Sequence, residues 1–168
     1  MNTKLKVFAV NKGILFNFGN KLDMSQELSE QEEIRRAKLA EVKNLGIEPY
    51  PAEEFQINAT AQDIKENYER DKLNYKDISL AGRIMSVRDM GKAAFAVLQD
   101  STDRIQIYVR RDDIYPNEDD RQLYDTVWKK LIDIGDIVGI KGYVFTTKTG
   151  ETSIHVREFS ILTKSLRP

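Results

Sequence analysis

The sequence predicts a mainly β protein with flanking helices: a five-stranded Greek-key barrel with a helix between the third and fourth strands, preceded by N-terminal helices. Three observations carry this expectation. Strand-patterned segments follow one another from Ile78 to the end of the chain. A polar, helix-forming stretch interrupts them after the third. Two capped helical segments come before them and cannot stand alone.

The first 23 residues, MNTKLKVFAVNKGILFNFGNKLD, carry no acid before Asp23 and break their apolar pieces with Asn, Lys and Gly. No run is long enough for a signal-peptide core or a membrane span, and a transit peptide would be Arg-rich. The segment 1–23 is expected to be an unstructured upstream extension, with Met24 as the natural start. Residues 24–77 read as an N-terminal helical segment. Ser29 and Glu32 form a capping box ahead of EIRRAKLAEVKNL, which Gly46 and Pro49 stop. Ile34, Val42 and Leu45 make a thin apolar stripe, and Arg35, Arg36, Lys38 and Lys43 are expected in solvent, with contact to a nucleic-acid backbone phosphate as the functional alternative. EPYPAEEF is an extended linker, and Thr60 with Asp63 caps a second short helix, TAQDIKENYER.

Residues 78–168 are expected to form the barrel. ISLAGRIMSVRDMG is a strand pattern in which Gly82 marks a sharp bend. GKAAFAVLQDSTDRIQIYVRR reads as a hairpin. NEDDRQLYDTVWKKLI is a helix with Leu123, Val127, Leu131 and neighbouring Trp128 on one face. IVGIKGYVFTTK and ETSIHVREFSIL pivot on Thr149-Gly150 as the last two strands. The order strand, strand, strand, helix, strand, strand is that of a barrel of the oligonucleotide/oligosaccharide-binding (OB) type.

Composition sets outer bounds. A chain of 168 residues, 40% hydrophobic and 32% charged, buries one good core. Cysteine is absent, so disulfides and thiolate metal sites are excluded, and the single histidine, His155, has no spacing partners for zinc. The net charge of -1 does not announce a nucleic-acid binder. By segment, residues 1–23 carry net +3, 24–77 net -5 and 78–168 net +1.

The hairpin holds the chemistry. If Ala94, Ala96 and Leu98 face inward opposite Ile105, Ile107 and Val109, then Phe95, Gln106, Tyr108 and Arg110 face outward. Pairing Leu98 with Ile105 places Val97 opposite Gln106 and Phe95 opposite Tyr108, so Phe95 and Gln106 are diagonal neighbours. An exposed ring beside a primary amide stabilises a sheet poorly but suits a nucleobase: the ring stacks and the amide reads an edge. The bland alternative has the N-terminal helices cover Phe95. Arg88, in the loop just before the hairpin, adds a charged donor at the same mouth and favours the ligand reading.

AGRIMSVRDMGKAAFAVLQD, IQIYVRRDD, DIGDIVGIKGYVFTTKTGETSIHV and LTKSLRP closely resemble the N-terminal anticodon-binding domain of bacterial, class II lysyl-tRNA synthetases, and EEIRRAKLAEVKNLGIEPYP resembles their leading helix. The resemblance runs from about Ser25 to Pro168; TKTGE and LTKSLRP point to the lysyl enzymes rather than the aspartyl and asparaginyl ones, which share the barrel. It implies that the barrel grips the uridine-rich anticodon loop of tRNA-Lys through Arg88, Phe95, Gln106 and Glu151. It also implies a cytoplasmic, homodimeric parent ligase that uses ATP and Mg2+, with no membrane. The family's catalytic domain should follow residues like LTKSLRP, so this chain is expected to be a tRNA-binding module with no catalytic residues or cofactor of its own. Gly91-Lys92 does not make a phosphate loop, because Ala93 replaces the required Ser or Thr and position 86 is Ser. Three readings compete: a free-standing OB-fold binder of single-stranded nucleic acid, an aspartyl- or asparaginyl-type anticodon domain, and an interaction module with an apolar patch at Tyr108, Tyr115 or Trp128.

Overall fold

The computed structural model describes residues 29–114 and 123–167. The expected extension over 1–23, the start at Met24, Tyr115, residues 117–122 of the expected helix and Pro168 lie outside the described residues.

Strands β1 (Ile78–Asp89), β2 (Ala93–Gln99), β3 (Arg104–Arg110), β4 (Ile137–Thr146) and β5 (Thr152–Thr163) close into a barrel in the order β1-β2-β3-β5-β4. All neighbours are antiparallel except β3 and β5, which run parallel from Gln106↔Ser153 to Val109↔Val156. The alternation in each strand explains the closure. One face of each supplies core, including Leu80 and Ile84, Leu98, Ile105 and Ile107, Val138 and Ile140, and Ile154 and Val156. Each such side chain contributes about 1.5–3 kcal/mol on burial. The hairpin register follows the alternation: Leu98 pairs with Ile105, Val97 with Gln106 and Phe95 with Tyr108.

β1 changes partner from β4 to β2 at Arg83. Gly82 sits beside that change, and a Cβ there would meet the Gln99 carbonyl oxygen at 3.0 Å. The register irregularity falls between Ile84 and Ser86 rather than at Gly82. In β5 and β4 a further irregularity at Lys141/Gly142 presses Gly142 against the His155 carbonyl, where a Cβ would lie 1.9 Å away.

Helix α1 (Glu30–Asn44) starts at the Ser29–Glu32 capping box. Helix α2 (Ala61–Asn67) is capped by Thr60, whose hydroxyl accepts from the Asp63 N–H, and is shorter than TAQDIKENYER suggests. The β2–β3 turn anchors it: the Asp100 carboxylate accepts from the Ala61 N–H at 2.7 Å and Ile64 is fully buried. Burial pushes the Asp100 carboxyl up, but the Thr102 hydroxyl and the N–H groups of Ala61, Asp103 and Thr102 outweigh it and hold the carboxyl below its ordinary range. Helix α3 (Leu123–Leu131) buries Tyr124, Val127, Trp128 and Leu131, and its winding is wide enough for the Ile132 N–H to reach the Val127 carbonyl at 3.0 Å. Trp128 is therefore core, not part of an exposed patch.

The docking of α1 corrects the sequence reading. Ile34 and Leu45 of the apolar stripe are exposed, whereas Arg35 is buried and Lys38 is ion-paired. Arg35 donates to the carbonyls of Ser165 at 2.9 Å and Ile134 at 3.0 Å, and Lys38 reaches Asp133 at 2.5 Å. Beneath them the fully buried Lys164 ammonium donates to the Leu131 carbonyl, to Asp133 at 3.0 Å and to Asp136 at 2.5 Å. Asp136 also accepts the N–H groups of Asp133 and Ser165, each at 2.8 Å. The helix thus joins the barrel through a saturated polar joint, with Val42 as its one fully buried apolar anchor.

Candidate nucleic-acid interface

The outward residues of β1, β2 and β3 form one wall of a cleft, and the β4–β5 turn forms the other. Arg88, Phe95, Gln106 and Glu151 all line it, together with Met90, Tyr108, Phe145 and Thr147–Thr149, around about 830 Å3. No residue of α1 or α2 is in that lining, so the N-terminal helices do not cover Phe95. Arg88 is not in a loop. It lies in β1, directly paired with Phe95, because β1 continues to Asp89 through its pairing with β2.

Phe95 is half-buried, with the Tyr108 ring centroid 4.9 Å from its own and the planes tilted by 42°. The Arg88 guanidinium carbon lies 5.4 Å from the Phe95 centroid, and among the described residues it has no ion pair. A cation at that distance is held by the ring's quadrupole yet keeps its N–H donors. Gln106 donates through Nε2 to the Ser153 hydroxyl at 2.8 Å, and Ser153 donates in turn to the Glu151 carbonyl at 3.3 Å. One amide N–H is thus spent on orientation, while the other N–H and Oε1 remain for a ligand.

The turn that carries Glu151 is tightly built. Gly150 adopts φ +89° and donates to the Thr147 carbonyl at 2.9 Å, while the Thr147 hydroxyl accepts from the Glu151 N–H at 2.9 Å. An L side chain at Gly150 would be strained in that left-handed conformation. The Glu151 carboxylate is exposed and makes no hydrogen bond among the described residues. At the cleft's other end, Lys129 of α3 bonds both Asp89 at 3.1 Å and the Gly91 carbonyl at 3.2 Å, fastening the β1–β2 turn. The Gly91 N–H first, and then the Lys129 ammonium, hold the Asp89 carboxyl below its ordinary range.

The sequence reading brought Arg88, Phe95, Gln106 and Glu151 forward, and they line one cleft. It did not find Phe145, Met90, Ser153 or the threonines of the turn. The outward alternation of GYVFTT marks Phe145, but nothing local shows that β5 carries it beside β3. The site combines a stacking ring, a donor-only cation, a donor–acceptor amide and an acceptor-only carboxylate, with one wall on strands. That set suits a planar, edge-polar ligand such as a nucleobase.

A family model for the tRNA anticodon OB-fold nucleic-acid-binding domain matches residues 78–162. The lysine–tRNA ligase of Porphyromonas gingivalis strain W83 is 54% identical over 143 residues, covering 84% of this chain and 25% of that protein. The lysine–tRNA ligase of Christiangramia forsetii is 48% identical over 149 residues, covering 89% of this chain and 25% of its own length. That of Staphylococcus haemolyticus is 44% identical over 152 residues, covering 86% and 29%. The chain spans about a quarter of the length of the curated relatives it matches.

Proposed function

Because the chain belongs to the tRNA anticodon family of OB-fold nucleic-acid-binding domains, we propose that its cleft reads the uridine-rich anticodon of tRNA-Lys. In this reading it is the N-terminal module of a cytoplasmic, homodimeric lysine–tRNA ligase. The observation that carries the reading is the convergence of Arg88, Phe95, Gln106 and Glu151 on one open cleft. The relatives named as lysine–tRNA ligases support the choice of tRNA and amino acid.

A base stacks on Phe95, which accepts any base because every base has a π face. Choice comes from the edge. Uridine offers two carbonyl acceptors flanking an N3–H donor; cytidine offers a bare N3 acceptor and an amino donor. The free N–H of Gln106 and the guanidinium of Arg88 match the carbonyls, and the ionised Glu151 accepts from N3–H and repels the cytidine N3 lone pair. A group left unpaired in such a partly desolvated site costs about 1–3 kcal/mol. The free-standing, sequence-indifferent binder fits less well, since it would need several cations along a groove, and this lining carries Arg88 and Lys148 against Glu151.

ATP and Mg2+ would serve the ligase reaction of the whole protein. Among the described residues no group of three or more metal-ligating side chains converges, and no step of that reaction is assigned to them. No described helix is long and apolar enough to cross a membrane.

The test is a titration of the 168-residue chain with an anticodon stem-loop carrying UUU. Phe95→Ala should weaken binding by about 1–3 kcal/mol, the worth of one base–aromatic stack, with its cooperative melt retained. Undiminished binding by the folded variant would remove the stacking site. A variant that loses its cooperative melt would place Phe95 in the core and end this reading of the ring.

A further inference from the structure

We propose that a second subsite, taking an RNA phosphate rather than a base, lies further along the same outer face, at a hollow of about 360 Å3 lined by Arg110, Asp113, Tyr143, His155 and Arg157. It rests on the anticodon reading of the neighbouring cleft and extends it.

The topology links the two places. Tyr108 of β3 is in register with His155 of β5, and His155 with Tyr143 of β4. Their outward rings form a continuous strip that starts at the stacking residue. Centroids are 4.9 Å apart for Phe95–Tyr108, 5.1 Å for Tyr108–His155 and 4.8 Å for Tyr143–His155. The far end of the strip is fixed. The Tyr143 hydroxyl pairs with His155 Nδ1 at 2.8 Å, and His155 Nε2 pairs with Asp113 at 2.6 Å. Tyr143 is stacked on His155 and carries the Arg157 guanidinium carbon 4.8 Å from its centroid. What this end offers a ligand is therefore the cation.

Arg157 is exposed, and among the described residues its guanidinium makes no hydrogen bond or ion pair. Arg110, on the same hollow, has only long ion pairs among the described residues, 3.6 Å to Asp112 and 3.7 Å to Asp113. Asp113 is the one acid of the lining: one carboxylate oxygen meets His155 at 2.6 Å, and the other lies 3.7 Å from Arg110, leaving Arg157 as the less engaged cation. A planar guanidinium steadied by a ring keeps its donor fork pre-organised, and that fork matches phosphate oxygens. An RNA strand with one base on Phe95 crosses Tyr108 and meets these two cations with a backbone phosphate flanking the triplet. Phosphate contacts position the strand and carry no sequence information.

The experiment titrates wild-type chain and Arg157→Gln with three RNAs across a salt series: the UUU stem-loop, a CCC stem-loop and the trinucleotide UpUpU, which lacks flanking phosphates. Arg157→Gln should weaken both loops about tenfold, as expected for a bond to a charged group. The slope of log affinity against log salt should shrink by about 0.7, the value for one single-strand phosphate contact. The trinucleotide should be unaffected and the UUU preference kept, while Arg157→Lys should restore part of the loss. Unchanged loop binding by Arg157→Gln would overturn the subsite. So would an equal loss on UpUpU, which would put Arg157 in the triplet site itself. If wild type binds UUU and CCC loops alike, base reading in the cleft fails, and the salt slope still decides the phosphate contact.

Discussion

The polar joint under α1 and the cleft on the barrel's outer face use similar residues for opposite ends. In the joint, Lys164 and Asp136 have fully buried side chains, and the bonds to them come from Leu131, Asp133 and Ser165 as well as from each other. In the cleft, Arg88 and Glu151 are exposed with no ion pair among the described residues, and Gln106 spends one N–H on Ser153. Saturated bonding holds a structure together; spare bonding capacity beside a half-buried ring is what a ligand can use. The difference separates fold from site more clearly than residue type does, since arginine appears in both.

The largest expected effect breaks the joint. Lys164→Ala leaves Asp133 and Asp136 without their shared cation, and a buried charge stripped of its partner costs about 3–5 kcal/mol. Urea unfolding should show that loss, while the folded fraction keeps its preference between RNA loops. A stability within about 1 kcal/mol of wild type would mean that the joint does not hold α1 and the end of β5 together.

Phe95→Ala is the reciprocal. Its binding loss of about 1–3 kcal/mol should come with little change in unfolding free energy, because the ring lies outside the barrel core. An unfolding penalty as large as the binding loss would erase the contrast between the two regions.

Acid titration sharpens the comparison from the other side. Burial pushes the Asp133 carboxyl up, but the bonds from Lys38 and Lys164 outweigh it, so the folded value lies below the ordinary one of about 3.9. Its contribution is present above the ordinary value and is lost as pH falls through the lowered folded value. Asp133→Asn should therefore melt below wild type at neutral pH, with the gap narrowing under about pH 4. A gap that stays constant across that range would show that the charge on Asp133 plays no part.

The legible part of the molecule is what short-range pattern controls. Alternation fixed which faces of β2 and β3 point inward, and so placed Phe95, Gln106 and Tyr108 outward in the observed register. Ser29–Glu32 and Thr60 announced their helices through capping chemistry confined to four residues. Arg35 and Lys38 were misread because their partners lie about a hundred residues away, at Asp133, Ile134 and Ser165. A charged helix face looks solvated until the matching acids and carbonyls are known. Arg88 was assigned to a loop because the length of β1 is set by its pairing with β2, not by its own alternation. Ser153 and Phe145 escaped for a related reason. They approach β3 only through the parallel β3–β5 contact and the β4–β5 pairing, which no local signal reports.

The most direct measurement is a competition titration of UUU against CCC stem-loops at fixed salt, with wild type, Gln106→Ala and Glu151→Ala. Edge reading predicts that wild type prefers UUU and that each variant loses affinity and narrows the preference. Each lost edge contact is worth about 1–3 kcal/mol. A contact to backbone phosphate would instead weaken both loops alike. If wild type shows no preference, or if both variants weaken the two loops equally, Gln106 and Glu151 do not read the base and the cleft is a generic strand binder.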